Sequence, residues 1–337
     1  IRNLQRFGWL IPYLMGASPA VCKSFFGERE TDLDVFNDST YYEPYATSLR
    51  MGDIGYQNSK EEGLGIKANY NSLEAYVDSL RKAITTPAAL WEEIGVEVDG
   101  FWRQLNSNIL QIENEYYSTV RPKPILSGLD KPVNALSKKG IEYIEIRSLD
   151  VNAYHPLGID QQQLDFLEVF ALFCLLHESP AIHGTERHEI DQNILMVAHK
   201  GRVPLLKLRQ AGGYTALREW GEILFEQMQP IAEILDVAAN SHQYSEALQY
   251  HERMIHDTEL TPSAIMLAEM REKGEGFYEF ANRMSQAHKR YFDISPLNSE
   301  RCKFLEQSIS ESHQKQKQIE ANDKMSFAEF MRAYEQS

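Results

Sequence analysis

Residues 141–150 read IEYIEIRSLD, with Tyr143, Glu145 and Arg147 at alternate positions and Ile144 and Ile146 between them. Alternate side chains of a strand share a face. The run is therefore predicted as a strand over 141–146. One face is apolar; the other carries a carboxylate and, two residues on, a guanidinium. A second run, NILQIENEYY at 108–117, reads the same way. Gln111, Glu113, Glu115 and Tyr117 would share one face, and Leu110, Ile112, Asn114 and Tyr116 the other. Two such strands suit a sheet with helices packed on one side and a ligand cleft on the other. Pattern alone favours a solvent-facing ion pair for Glu145 and Arg147, and such pairs contribute little. Carboxylates also ligate magnesium and arginines hold phosphate in a bidentate way, but the spacing by itself demands neither.

Outward from these runs the chain becomes helical. Residues 121–140 are rich in Pro, Lys, Ser and Gly and read as a loop. Upstream, Asn71 and Glu74 are placed as a helix cap and its partner. Leu73, Tyr76, Val77, Leu80 and Ile84 follow at helical spacing, and Pro87 stops the run. Residues 34–50, with three tyrosines among turn residues, read as a long ordered loop. After Gly158, residues 161–177 are apolar nearly all round and predict a buried helix. Further helices are expected over 214–239, 244–256 and 263–284. Residues 299–336 read as exposed helix with Phe327, Phe330, Met331 and Tyr334 as a docking stripe.

Composition excludes several classes. The 337 residues carry 34 Lys and Arg against 49 Asp and Glu, a formal charge of −15. That sign disfavours nucleic acid and anionic membranes, though a local metal or a few arginines can still bind a phosphate-bearing small molecule. Hydrophobic residues at 43% and charged residues at 25% describe a globular protein, not a disordered one. The most apolar stretch, FGWLIPYLMGASPAVC at 7–22, is too short to span a bilayer and is interrupted by Pro12, Gly16 and Pro19. Three scattered cysteines, Cys22, Cys174 and Cys302, make no disulfide frame and suggest a reducing, cytoplasmic home. The first residue is Ile1 and not Met, which points to a fragment or processed product.

Five runs together resemble the bacterial glutamate–cysteine ligases: RFGWLIPYLMGASPAVC at 6–22, PYATSLRMGDIGY at 44–56, NSNILQIENEYY at 106–117, RPK at 121–123 and GIEYIEIRSLDVN at 140–152. The resemblance covers almost the whole chain and is densest in the first half. It implies an α+β fold, with an antiparallel sheet cradle of the glutamine synthetase-like type surrounded by helices and a helical second half. Residues 1–158 would be part of the catalytic cradle, and 159–337 a mainly helical portion packed on it. The implied reaction uses ATP and magnesium, with manganese as an alternative. ATP phosphorylates the side-chain carboxylate of glutamate, and the amine of cysteine attacks the acyl phosphate, which gives γ-glutamylcysteine for glutathione synthesis.

The resemblance also implies roles, position by position. Glu145 would ligate metal at the nucleotide, and Arg147 would touch phosphate. Arg50 would anchor a substrate carboxylate or phosphoryl oxygens. Tyr56 and Tyr117 would line the cysteine pocket, with Asn114 nearby. The family's other acidic metal ligands lie upstream of the position matching Ile1, so a further part of the protein would be needed for turnover, and the 337 residues alone are expected to be inactive. Two other readings stay open: a ligase of the same superfamily with another acid or amine, and a non-catalytic nucleotide-binding fragment. For the single residues, Tyr56 and Tyr117 also suit half-buried core positions, and Arg50 a loop-stapling role. His177, His183 and His188 lack a zinc spacing and read as helix-end or loop histidines. The cysteines read as small core or helix residues, and Gly212 and Gly213 as a turn.

Overall fold

The computed structural model describes residues 1–55, 67–128 and 130–336. The chain opens with two short helices, α1 (Arg2–Arg6) and α2 (Leu10–Met15), and then β1 (Ala20–Cys22), β2 (Asp34–Asn37) and β3 (Thr40–Tyr42). Next come α3 (Leu73–Thr85), α4 (Ala89–Ile94), β4 (Glu97–Val98), β5 (Phe101–Trp102), β6 (Val120–Lys123), α5 (Pro132–Lys139) and β7 (Tyr143–Ile146). The second half holds α6 (Gln161–Leu176), α7 (Gly184–Lys200), the hairpin β8 (Lys207–Gln210) and β9 (Gly213–Ala216), α8 (Leu217–Ala239), α9 (Gln243–His256), α10 (Pro262–Lys273), α11 (Phe277–Asp293), α12 (Ser299–Asn322) and α13 (Phe327–Gln336). The α+β class and the helical second half are as expected. Among the described residues the strands form four small sheets, β1-β3-β2, β4-β5, β6-β7 and β8-β9, and every pairing is antiparallel.

The main core explains the apolar stretch at 7–22. Trp9, Leu10, Ile11, Tyr13, Leu14 and Met15 are all buried and pack with Phe166, Phe170, Trp220, Leu224, Phe225 and Met254. Each such side chain contributes about 2 kcal/mol by leaving water. Pro12 falls in the first turn of α2, where its missing N–H costs nothing. The Tyr13 hydroxyl donates to the Met254 carbonyl at 3.0 Å and so joins α2 to α9. No helix among the described residues is long and apolar enough to cross a membrane. A second core joins α3 and α5 through Tyr76, Val77, Leu80, Val133 and Leu136, with Ile109, Leu110 and Tyr116 between them.

Several sequence expectations are corrected. Residues 108–117 are not a strand. Asn108 makes one isolated bridge to Pro87, and Glu113–Glu115 is a 3-10 turn. The end of α3 has carbonyls with no helical partner. Ile109 N donates to Thr86 O at 2.9 Å, Leu110 N to Ala83 O at 3.1 Å, and Asn108 Nδ2 to Ile84 O at 2.6 Å. Capping a helix consumes the donors a strand would have used. Glu115 Oε2 then accepts from Gln111 N at 2.8 Å, a local bond that favours the turn. The strand that does pair with β7 is β6, inside the stretch read as loop, and α5 lies in that stretch too.

Other corrections are smaller. Residues 34–50 contain the β2–β3 hairpin, whose bend is held by Asn37 Oδ1 accepting from Ser39 N at 3.0 Å. The cap of α3 is Ser72, which accepts from Ala75 N, while Asn71 bridges to the backbone of Ile182. The run 263–284 is two helices, because Gly274 at φ +65° takes the left-handed conformation that ends α10. In α6 one face is buried, with Phe166, Val169, Phe170, Phe173 and Cys174 on it, but Leu164, Leu175 and Leu176 are exposed, so the helix is not apolar-buried all round. The docking stripe docks in part: Met331 is buried, Phe327 meets the Trp102 ring edge-on at 5.4 Å, and Lys131 lies over the Tyr334 ring, while Phe327 and Phe330 stay exposed.

Candidate active site

The β6–β7 pair sets the site. Its register places Val120 opposite Ile146, Arg121 opposite Glu145, Pro122 opposite Ile144 and Lys123 opposite Tyr143. Thr119 extends the ladder by accepting from Arg147 N at 2.8 Å. The face predicted to be apolar is only half used, for Ile146 packs on the main core while Ile144 is exposed. On the other face Glu145 Oε2 lies 3.4 Å from Lys123 Nζ, and Oε1 lies 3.9 Å from Arg147 Nε. The first contact is an ion pair and not a hydrogen bond, and Oε2 is buried without a hydrogen-bond donor.

Arg50 reaches this strand from a 3-10 turn, Leu49–Met51, capped by Ser48. Its Nε donates to Asp150 Oδ1 at 2.6 Å, and Nη2 donates to the carbonyls of Leu149 at 2.6 Å and Arg147 at 3.2 Å. Asp150 is the hub. Its other oxygen accepts from Ala17 N at 2.8 Å and Ser18 Oγ at 2.6 Å, and its carboxylate is 3% exposed. Three segments far apart in sequence, around residues 17, 50 and 150, thus converge on one buried charge. Beside it a cavity of about 390 Å³ is lined by Arg50, Asp150, Asn152 and His288 and floored by Phe277 and Phe280.

Arg50 reaches the main chain at the end of the strand that carries Glu145 and Arg147, through the Arg147 carbonyl. Its contacts are those of the loop-stapling reading. Asn114 and Tyr117 are exposed and lie on the turn that leads into β6. Arg121 holds that turn in place. It is buried, and its Nη2 donates to the carbonyls of Tyr116 and Asn114. Tyr56 lies outside the described residues. Asp150, Arg121 and Lys123 were missed by sequence reasoning. Asp150 and Arg121 stand inside runs that had been singled out, but nothing in either run announces a buried partner. His177 and His183 sit at helix ends, and among the described residues no three His, Cys, Asp or Glu side chains are grouped to hold a metal.

Residues 1–197 match the sequence profile of the glutamate-cysteine ligase family. The chain belongs to this family. It is 44% identical over 337 residues to a glutamate–cysteine ligase of Pseudomonas paraeruginosa, and 43% to one of Azotobacter vinelandii. All of the chain is covered in both, and 63% of each relative, so the chain spans less than two thirds of their length. The crystal structure of the Francisella tularensis glutamate–cysteine ligase in complex with AMP superposes with a TM-score of 0.89 at 33% identity, covering 99% of this chain and 65% of that one. A bifunctional glutathione synthetase from Pasteurella multocida shares the fold, with a TM-score of 0.58 at 21% identity over 86% of this chain and 31% of that one.

Proposed function

We propose that this glutamate–cysteine ligase family chain forms one wall of an active site that joins the side-chain carboxylate of glutamate to the amine of cysteine at the expense of ATP. The observation that carries the reading is that Arg50 bonds the main chain of Arg147 at the end of the strand whose one face carries Glu145 and Arg147. There Arg50, Lys123 and Arg147 outnumber Glu145 and Asp150, on a chain whose overall charge is −15. A locally cationic site suits two anionic substrates, glutamate and a triphosphate. The AMP bound by the Francisella relative supports a nucleotide at this fold.

In this reading a glutamate carboxylate oxygen attacks the γ-phosphorus of ATP, and ADP leaves. The amine nitrogen of cysteine then attacks the acyl carbon, phosphate leaves, and the nitrogen gives up a proton. Arg147 faces the transferring phosphoryl group and offsets the charge that builds on its oxygens. Arg50 is held by Asp150 and two carbonyls, so its guanidinium meets a substrate carboxylate without first being ordered. Tyr117 and Asn114, kept in place through Arg121, border the amine's approach and exclude bulkier amines, with Tyr56 as a second pocket tyrosine.

Glu145 fits a magnesium ion as one ligand, since Oε2 is a buried carboxylate oxygen with no hydrogen bond. Magnesium would supply positive charge to offset that of the phosphates. It takes about six oxygens, several of them water, so one carboxylate does not complete the site. The remaining protein ligands are assigned to the part of the relatives that lies beyond this chain, and full turnover by residues 1–337 alone would overturn that assignment. Phosphate release from ATP and glutamate tests the activity itself, with cysteine, 2-aminobutyrate and bulkier amines compared in the complete protein. Preference for cysteine is expected. Equal rates with bulky amines would replace this reading with a ligase of another specificity.

A further inference from the structure

The segment bearing Arg50 is held from behind by the C-terminal end of α7. Thr47 N and Ser48 N both donate to Ala198 O, at 2.9 and 3.2 Å, and Thr47 Oγ1 donates to Val197 O at 2.9 Å. The next residue of the helix, His199, then spans the segment with its side chain. Nδ1 lies 3.0 Å from Glu43 Oε2, and Nε2 lies 2.9 Å from Asp53 Oδ1. The second contact is at ion-pair distance but off the line of a good hydrogen bond. Glu43 and Asp53 bracket Arg50. Gly52 lies so close that a Cβ there would strike the imidazole. A neutral imidazole has one N–H and can serve one carboxylate; an imidazolium serves both.

We propose that His199 is a positioning residue for Arg50, its imidazolium tying Glu43 to Asp53 and holding the turn between them where Arg50 meets substrate. The inference rests on the ligase reading of Arg50 given above. The hydrogen bond to Glu43 holds the imidazole above its ordinary range, with the charges of Glu43 and Asp53 adding to it, against burial that lowers it. Glu30, Asp32 and Lys200 also line the pocket of about 460 Å³ beside the ring, and the two acids favour the same charged form while Lys200 opposes it. Because the pKa is raised, the tie is closed at low pH and opens as pH rises through it. Asp150 holds the guanidinium of Arg50; His199 holds the backbone that carries it. Loss of one does not duplicate loss of the other.

The test compares wild type, His199→Gln and Asp53→Asn in the complete enzyme. Asp53 is 63% exposed, so its substitution leaves folding intact. Arg50→Lys first identifies the substrate whose KM depends on Arg50. For that substrate the variant-to-wild-type KM ratio is expected to be largest, about severalfold, at the acid end of a pH series and to fall toward one as pH rises through the raised pKa. Taking the ratio cancels ionisation of the substrates, and kcat stays within about twofold because the chemistry is untouched. A ratio that does not change with pH, or a lowered melting temperature with unchanged KM, overturns the inference and leaves His199 merely structural. If Arg50→Lys moves no KM, the reading of Arg50 itself fails.

Discussion

Asp150→Ala is expected to cost about 3 kcal/mol of stability. The carboxylate is 3% exposed and accepts three hydrogen bonds, from Ala17 N, Ser18 Oγ and Arg50 Nε, all at 2.8 Å or less. Removing one partner of a buried charged pair costs about 3–5 kcal/mol, mostly because the other partner is left without it. Here the Arg50 side chain is 36% exposed and recovers part of that from water, which moves the expected cost to the lower end. Ala17 N is buried and recovers nothing, which adds about 1 kcal/mol for an unsatisfied donor. The assay is urea unfolding of Asp150→Ala, Arg50→Met and the double variant. The cycle isolates the pair, and a coupling of about 1–2 kcal/mol is expected, since the bonds to Ala17 and Ser18 are lost equally with and without Arg50. A single-variant cost below about 1 kcal/mol, or a coupling near zero, would refute the claim that one buried carboxylate locks the three segments together.

Three further expectations rest on other parts of the molecule. In the complete protein Glu145→Gln should weaken the magnesium dependence of nucleotide use by about tenfold or more; unchanged dependence in a metal titration removes Glu145 from the metal site. Tyr117→Ala should raise KM for cysteine more than KM for ATP, with little loss of stability because the side chain is 42% exposed; equal rises in both would assign it a folding role. His251 is buried against Phe166, and burial pulls its pKa down to about 4. Its neutral form is favoured in the folded state, so the stability it contributes is whole above the unfolded pKa of about 6.5 and is lost as pH falls toward about 4, up to about 3 kcal/mol. Urea midpoints of wild type and His251→Phe measured across that window should converge as pH falls, and parallel curves would remove His251 as the cause.

The strand at 141–146 was legible because alternation is a local property: each residue's face follows from its neighbours. The helices of the second half were legible for the same reason, since an apolar stripe at helical spacing already says where the core must lie. The choice of Arg50, Glu145 and Arg147 came from runs that resemble the family's, and the fold brings the turn of Arg50 to the main chain at the end of the strand of the other two. Residues 108–117 show where local pattern fails. They alternate well enough for a strand, yet the carbonyls at the end of α3 claim their donors, and no local pattern records which distant groups compete for a backbone N–H. Asp150 is the same lesson in charge. As a letter it is one acid among 49 Asp and Glu, and only packing decides that it is buried, that Ala17 and Ser18 point at it, and that Arg50 arrives from a hundred residues away. The sequence by itself determined which elements form and which chemistry they can carry. The tertiary structure decided which charges meet, because burial and long-range hydrogen bonding are properties of the assembled core and not of any segment within it.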